Sequence, residues 1–384
     1  MANAFVKPNA IVDTVLGMLQ GELVLTNLVW KDGLGDFAGK YNDTISIRIP
    51  NPTDANTRVL RGTGAARNLT VSDLTETTVD VKLTDDVYNL VVLTDEEKTL
   101  DIYDYAAQVL NRQVDAVARK LEQGLSDTIQ GAAYTTTHSA ASDGVYDAIV
   151  KARRQLNDSF VPRQGRVLVV GSAVEESLLL DDRFTRYDST GDGSASALRE
   201  ARVGRIAGQD VIVSDYLPHG DAYLFHMTAF AMVTRPPSAP MSGADRVAAV
   251  GSANGIALRW LGDYDPSVTS DRSLVDTFVG YKAIVDPGPN AFVRGAKIQL
   301  IPTSVTINNQ GVVTASAGAN KTRQLVLVDS NGDNRTTDAT WTSSDTSKAT
   351  VSASGLVTGL AAGATTITAV VNGRTATWAL TVAA

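Results

Sequence analysis

Asp329, Asn331 and Asp333 stand at alternate positions, the spacing with which oxygen donors open a calcium-binding loop. Such a loop has glycine at its sixth position and a bidentate glutamate at its twelfth, whereas here Gly332 falls fourth and Thr340 twelfth. Asn331-Gly332 is a tight-turn signal, so a hairpin turn is the expectation. Asp188, Thr190 and Asp192 repeat the spacing and put Gly193 sixth, but position twelve is Arg199, and this segment reads as a polar loop. His219 and His226 are seven residues apart, with no cysteine in the chain and no His-Glu-x-x-His pattern, so both read as structural or surface histidines. Gly62-Thr63-Gly64 lacks the third glycine and the strand-to-helix setting of a dinucleotide loop. Ser252 lies one position early in Gly251–Gly255 for a nucleophile elbow. The sequence thus offers no catalytic residue, no cofactor-binding residue and no metal ligand, and the expectation is a protein that is not an enzyme.

The charged side chains that remain invite a different use. Arg48, Arg58, Arg61 and Arg67 are spread along one stretch of chain, and Asp95, Glu96 and Glu97 follow it, with Asp85 and Asp86 nearby. Arginine forks suit carboxylates across an interface. The elements that carry them explain why an interface is needed. Tyr41–Ile49 and Thr77–Leu83 alternate apolar and polar residues and read as strands. The residues between them, 50–76, are too many for a structureless loop inside a compact domain. As a hairpin they reach roughly 40 Å, at ~3.3 Å per residue each way. They hold few large apolar groups and cannot bury themselves, which predicts an arm packed on a neighbouring subunit. The seven residues Arg48, Arg58, Arg61, Arg67, Asp95, Glu96 and Glu97 are therefore the candidate contacts between subunits.

Thr94 and Glu97 form a capping box at the head of a long apolar pattern, Ile102, Ala106, Val109, Leu110, Val117, Leu121, Leu125 and Ile129, which predicts one helix ending near Gly131, with Gly124 as a place to bend. Residues 143–235 read as an α/β unit: a helix capped by Asp143, a buried strand Arg166–Val170, a helix Ser172–Leu180, and strands Val211–Ser214 and Ala222–Thr234. Strands over 256–262, 274–285 and 291–300 return towards the long helix.

The last 84 residues differ in kind: they hold 17 threonines, no glutamate, no Tyr or Phe, and five basic against four acidic residues. The acidic balance of the chain, −8 over 384 residues, therefore belongs to residues 1–300, at −9. That charge excludes a DNA-coating protein. With 43% apolar and 20% charged residues, the chain has material for sizeable cores and two or three domains. No apolar run is long enough for a membrane helix, and Met1–Gln20 reads as a mature N-terminus made in the cytoplasm. Eight strand candidates (304–307, 311–315, 323–329, 338–343, 348–351, 356–358, 365–371 and 374–382) with turns at Asn331-Gly332 and Asn372-Gly373 predict a β-sandwich joined at Pro302.

Two resemblances rest on these residues. Trp341, Ser343-Ser344-Asp345, Ala349-Thr350-Val351, Gly355-Leu356-Val357, Gly359, Gly363 and Thr366-Ile367-Thr368 resemble the bacterial immunoglobulin-like group 2 domain. The order of arm, hairpin, long helix, α/β unit and returning strands, with residues 93–125, 167–184 and 203–218, is similar to the major capsid protein of tailed bacteriophages, the Hong Kong 97-like fold, closest to the short-tailed Salmonella phage coat type. The resemblance implies an α+β capsid fold plus an all-β sandwich: 1–40 an N-terminal arm, 41–93 the extended hairpin and peripheral strands, 94–131 the spine helix, 140–235 the axial domain, 236–302 returning peripheral strands and 303–384 the immunoglobulin-like domain. It implies self-assembly into pentamers and hexamers of an icosahedral head around double-stranded DNA held without sequence-specific binding, and location in the virion after assembly in the host cytoplasm. A portal protein and a separate scaffolding protein are implied partners, since the arm begins at Met1 without a scaffolding segment. Residues 235–255 are too short for the insertion domain of that coat type. The sandwich is expected to project outward towards glycans, a host surface or decoration, so that its deletion leaves assembly intact. The alternative is the shell of a host-encoded, encapsulin-like nanocompartment.

Overall fold

Alternation of Ile45 and Ile47 against Val79 and Val81 gives two strands one apolar face each. In the computed structural model these strands, Thr44–Pro50 and Glu76–Lys82, pair antiparallel with Ile45 opposite Val81 and Ile47 opposite Val79. The structure describes residues 23–31, 44–50, 55–58, 60–61, 68–69, 71–74, 76–100, 106–181, 205–238, 246–253, 255–286, 291–316, 318 and 320–384. Residues 1–22 of the expected N-terminal arm and the Asp188–Gly193 loop lie outside them. The chain forms two compact units.

The first unit comprises Met1–Thr135, Leu156–Val167 and Phe225–Gly295. Its sheet runs in the order Arg246–Ala253, Ile256–Asp265, Ser270–Ala283, Asp85–Thr94, and Phe230–Arg235 pairs with the far end of the long strand Ser270–Ala283. The helix Asn111–Gln130 buries Val114, Val117, Ala118, Leu121, Leu125 and Ile129, the face the apolar period dictates. Gln113 fastens it to the sheet through the carbonyls of Asn89 and Ser273, at 3.2 and 2.9 Å.

The capping box is made as the sequence predicts: the Glu97 carboxylate accepts from the Thr94 N–H and hydroxyl, both at 3.0 Å. Of the helix expected from there to Gly131, residues 101–105 lie outside the described ones. Asp95–Leu100 is α-helical, Ala106–Leu110 is a π-helical turn, and the regular helix begins at Asn111. Gly124 lies inside that regular helix, where the Tyr281 ring packs against it. A Cβ there would stand 2.7 Å from the Tyr281 ring, whose hydroxyl donates to the Leu121 carbonyl at 3.0 Å. Glycine lets the tyrosine lie against the helix backbone.

The single strand predicted over Ala222–Thr234 is two strands. Asp221–His226 and Phe230–Arg235 are separated by a 3₁₀ turn, Met227–Ala229, in which the Thr228 N–H donates to His226 Nδ1 at 3.2 Å. The turn sends the two halves to different sheets.

The second unit comprises Thr136–Gln155, Leu168–Leu224 and Ala296–Ala384. Its six-stranded sheet has the order Thr137–Ala140, Gly295–Leu300, Asp221–His226, Arg166–Val170, Gln209–Val213, Arg205–Ile206. Gly295–Leu300, expected among the strands returning to the long helix, instead pairs in parallel with Thr137–Ala140. Asp143 does not cap the helix Val145–Asp158 but lies within a 3₁₀ turn, Ser142–Gly144, that leads into it. All eight strands expected in the C-terminal piece are present in shifted form, with 323–329 broken at Leu325 into Thr322–Gln324 and Val326–Asp329, which join different sheets. Leu325, Leu327, Trp341, Ala349, Val357, Ile367, Trp378 and Leu380 are among the residues of the sandwich core. Asn372-Gly373 makes the two-residue turn, both residues at positive φ, that joins Gly363–Val371 to Arg374–Ala383. No helix among the described residues is long and apolar enough to cross a membrane.

Candidate functional site

The hairpin Thr44–Lys82 is anchored at its root and bare beyond it. Ile45 and Val81 are buried in a cluster with Ala231, Val233 and Ile284, packed on by Trp30, Ile47, Val79 and Leu83. Every described residue between Pro50 and Glu76 is exposed. Among them, Leu60 is 94% exposed, Val71 85% and Leu74 87%. Side chains of this size each carry about 1.5–3 kcal/mol of burial free energy that the isolated chain leaves unused. The sheet of the same unit ends in a second such feature. Asp85–Thr94 turns Val87 and Leu93 inward and presents Tyr88, Leu90 and Val92 outward, each at least half exposed, along an edge strand. Scattered exposed apolar residues are ordinary; a row along one edge and a bare apolar arm are not.

Of the seven sequence-predicted contact residues, Arg48 lies exposed on the first hairpin strand, opposite Thr78, and lines an open cleft of about 190 Å³ with Trp30, Ile47, Thr228, Ala231, Ile284 and Arg294. Arg58 and Arg61 are exposed on the arm, and Arg67 lies outside the described residues. Asp95 accepts from the Tyr264 hydroxyl at 2.9 Å, Glu96 is exposed, and Glu97 is committed to the capping box. The structure thus sets the arginines on the arm and the carboxylates at a helix start, and two of the three carboxylates have work within their own unit.

Among the described residues a dense polar cluster centres on Arg335, which the sequence did not single out. Arg335, with 4% of its side chain exposed, stands among four carboxylates of the second unit. Nη2 donates to Asp221 Oδ1 at 3.1 Å and to Asp333 Oδ2 at 2.9 Å, Nε donates to Asp329 Oδ2 at 3.0 Å, and Nη1 lies 3.5 Å from Asp338 Oδ2. Lys297 Nζ lies 2.8 Å from the other oxygen of Asp221. Asp333 also accepts the backbone N–H groups of His219 and Gly220, at 2.6 and 2.7 Å. Burial pushes the Asp221 carboxyl up, but Lys297 and Arg335 outweigh it and leave it below its ordinary value. At Asp333 burial wins over the two N–H donors and Arg335, and its carboxyl titrates above the usual value.

Asp329, Asn331 and Asp333, considered as a calcium opening, thus form a turn whose two carboxylates serve an arginine, and among the described residues no cluster of three or more His, Asp or Glu is arranged to hold a metal. The signal was present: three of the four acidic residues in 301–384 fall within ten positions around Arg335, in an otherwise charge-poor segment. His226 is a buried structural histidine, bonded to the Gln164 carbonyl and Thr228, and His219 Nδ1 lies 2.7 Å from the Ser172 hydroxyl.

Residues 76–298 match the family model described as phage capsid protein, and residues 302–382 match that of the bacterial Ig-like domain (group 2). No curated relative matches the chain by sequence. Among solved structures, one from Mycobacterium phage Che8 is similar at a TM-score of 0.54 and 20% identity, over 72% of this chain and 90% of that one. The capsid of the Cyanophage P-SCSP1u is similar at a TM-score of 0.51 and 12% identity, over 78% of this chain and 90% of that one.

Proposed function

The chain belongs to the phage capsid protein family, has the Hong Kong 97-like fold with a C-terminal immunoglobulin-like domain, and is a shell protein of a virion; from that premise we propose that it is the major coat subunit, closing as pentamers and hexamers into an icosahedral head around double-stranded DNA. The observation that supports this reading best is the hairpin whose root is buried and whose described arm residues, Leu60, Val71 and Leu74 among them, are exposed. A neighbouring copy supplies the missing contacts. Once a ring has begun, each added contact is effectively intramolecular, so a few kcal/mol per interface suffices for a stable shell. Arg48, Arg58, Arg61 and Arg67 orient the arm by pairing with carboxylates of the neighbour, Glu96 foremost because Glu97 is held by its own cap. The acidic balance of residues 1–300 keeps the inner wall from adhering to packaged DNA. A separate scaffolding protein and a portal complete assembly in the host cytoplasm, and residues 303–384 face outward for decoration or adhesion to a host surface.

Replacing Leu60 and Leu74 together by aspartate tests the arm. The expected variant is soluble, has the parent's circular dichroism, and forms no closed shells by negative-stain electron microscopy. Shells in normal number and size from that variant would sink the reading.

A further inference from the structure

The C-terminal domain is joined to the α/β part of the second unit by more than its peptide bond. Two of its turns rest there: the Asp329–Asp338 turn through Arg335 and Asp333, and the Asn372-Gly373 turn through Asn372, whose amide donates to Gln299 Oε1 at 3.2 Å. The surface that receives them is held by its own unit. Leu300 N–H donates to the Gly220 carbonyl at 2.7 Å, Gly171 N–H to that of Asp221 at 2.9 Å, and Asp221 N–H to that of Pro218 at 3.1 Å. The connecting segment is pinned as well, by Ile301 N–H on the Ala140 carbonyl at 2.7 Å and by Arg374 Nε on the Pro302 carbonyl at 3.0 Å.

Gly220 shows how close the approach is. Its φ lies outside the left-handed region, so its backbone does not need glycine. A Cβ there would stand 2.7 Å from Asn331 Nδ2, 3.2 Å from Asp333 Oδ2 and 3.4 Å from Arg335 Nη2. All three nearest atoms belong to the sandwich. A side chain at this position would meet the other domain's turn. Asp221 is shared between Lys297 of its own part and Arg335 of the sandwich, which also holds Asp329 and Asp333 of its own domain. A guanidinium buried to this degree is stable only while all its carboxylates are in position.

We propose that residues 303–384 act in cis as a clamp on the α/β part, the two moving as one rigid body locked at Arg335, rather than as a domain hung on Pro302. This goes beyond the capsid reading and does not rest on it, because the lock is complete within one chain. It also revises the expectation from sequence that the sandwich can be removed without consequence.

The test uses the unassembled full-length chain. Hydrogen exchange of residues 298–304 and limited proteolysis of the same segment are measured in the parent, in Gly220→Ala and in Arg335→Met, with tryptophan fluorescence reporting on the sandwich core around Trp341 and Trp378. The parent is expected to protect 298–304. Gly220→Ala is expected to keep the parent's fluorescence while exchange and cleavage of 298–304 rise roughly ten- to a hundredfold, the factor for losing charge-assisted hydrogen bonds. Adding Asn331→Ala to Gly220→Ala removes the nearest clash and is expected to recover part of the protection. Arg335→Met opens the same segment by an independent route. An unprotected linker in the parent, or Gly220→Ala and Arg335→Met chains indistinguishable from it, overturns the proposal.

Discussion

Single side chains in this protein fasten segments that lie far apart in the sequence. Glu122, 1% exposed on the long helix, accepts from the N–H groups of Val24, Leu25 and Thr26 and from the Thr26 hydroxyl, at 2.8–3.1 Å. One carboxylate thus collects the orphan donors of the 3₁₀ turn Leu25–Leu28. Glu122→Gln points an amide NH₂ at donors and is expected to cost about 1.5–3 kcal/mol, read as a lower urea midpoint of the unassembled chain. His226 makes a pH prediction. Burial lowers its affinity for a proton, the Gln164 carbonyl opposes this, and Arg294 and Arg166 add to the lowering. As pH falls below the ordinary value of 6.5, the unfolded chain takes up the proton first, so stability declines from there down to the folded value. His226→Gln is expected to flatten that part of the profile in thermal melts; an unchanged slope would assign it to other groups. Asp221 acts in a lower window. Its folded carboxyl lies below the ordinary 3.8, so its contribution is present above that value and lost as pH falls further.

At the level of elements, local signals were legible where local physics decides. The Thr94–Glu97 box, the Asn372-Gly373 turn and the eight sandwich strands follow from capping, turn chemistry and period-two alternation. What local signals missed was decided by distant partners. Ala222–Thr234 reads as one apolar run because both halves are buried; nothing in its pattern says that they serve different sheets, and the cap that divides them is a histidine, an unusual choice. Gly124 reads as a hinge in isolation, but its partner is Tyr281, 157 residues on. Gly→Ala in a helix interior ordinarily gains about 1 kcal/mol. Here Gly124→Ala is expected to lose about 1–3 kcal/mol by overpacking, and in a Tyr281→Ala background its sign should reverse. A double-mutant cycle from urea denaturation reads both.

Taken as a whole molecule, the division into shell-forming residues and sandwich was readable from composition alone, since tyrosine and phenylalanine stop near residue 300 and 17 threonines follow. The bond between those parts was not readable. It joins Asp221 to Arg335 and Gly220 to Asp333, pairs more than a hundred positions apart. The bare arm and the outward row of Tyr88, Leu90 and Val92 make a prediction at this scale. Unassembled chain is expected to bind a hydrophobic dye that fluoresces on apolar surface, and closed shells to bind markedly less per chain; equal binding would show that assembly covers neither surface.

The Arg335 junction also sets how force travels. A tug on the sandwich is shared among the Asp221 and Asp333 contacts, the Asn372 amide and the backbone at Ile301 from the first instant, instead of straightening a slack tether. On the proposed outward placement of the sandwich and the proposed clamp, drag at the particle's exterior is delivered to the wall beneath without a soft element to absorb it, and the angle at which each copy presents the sandwich is set when the chain folds, before any shell exists.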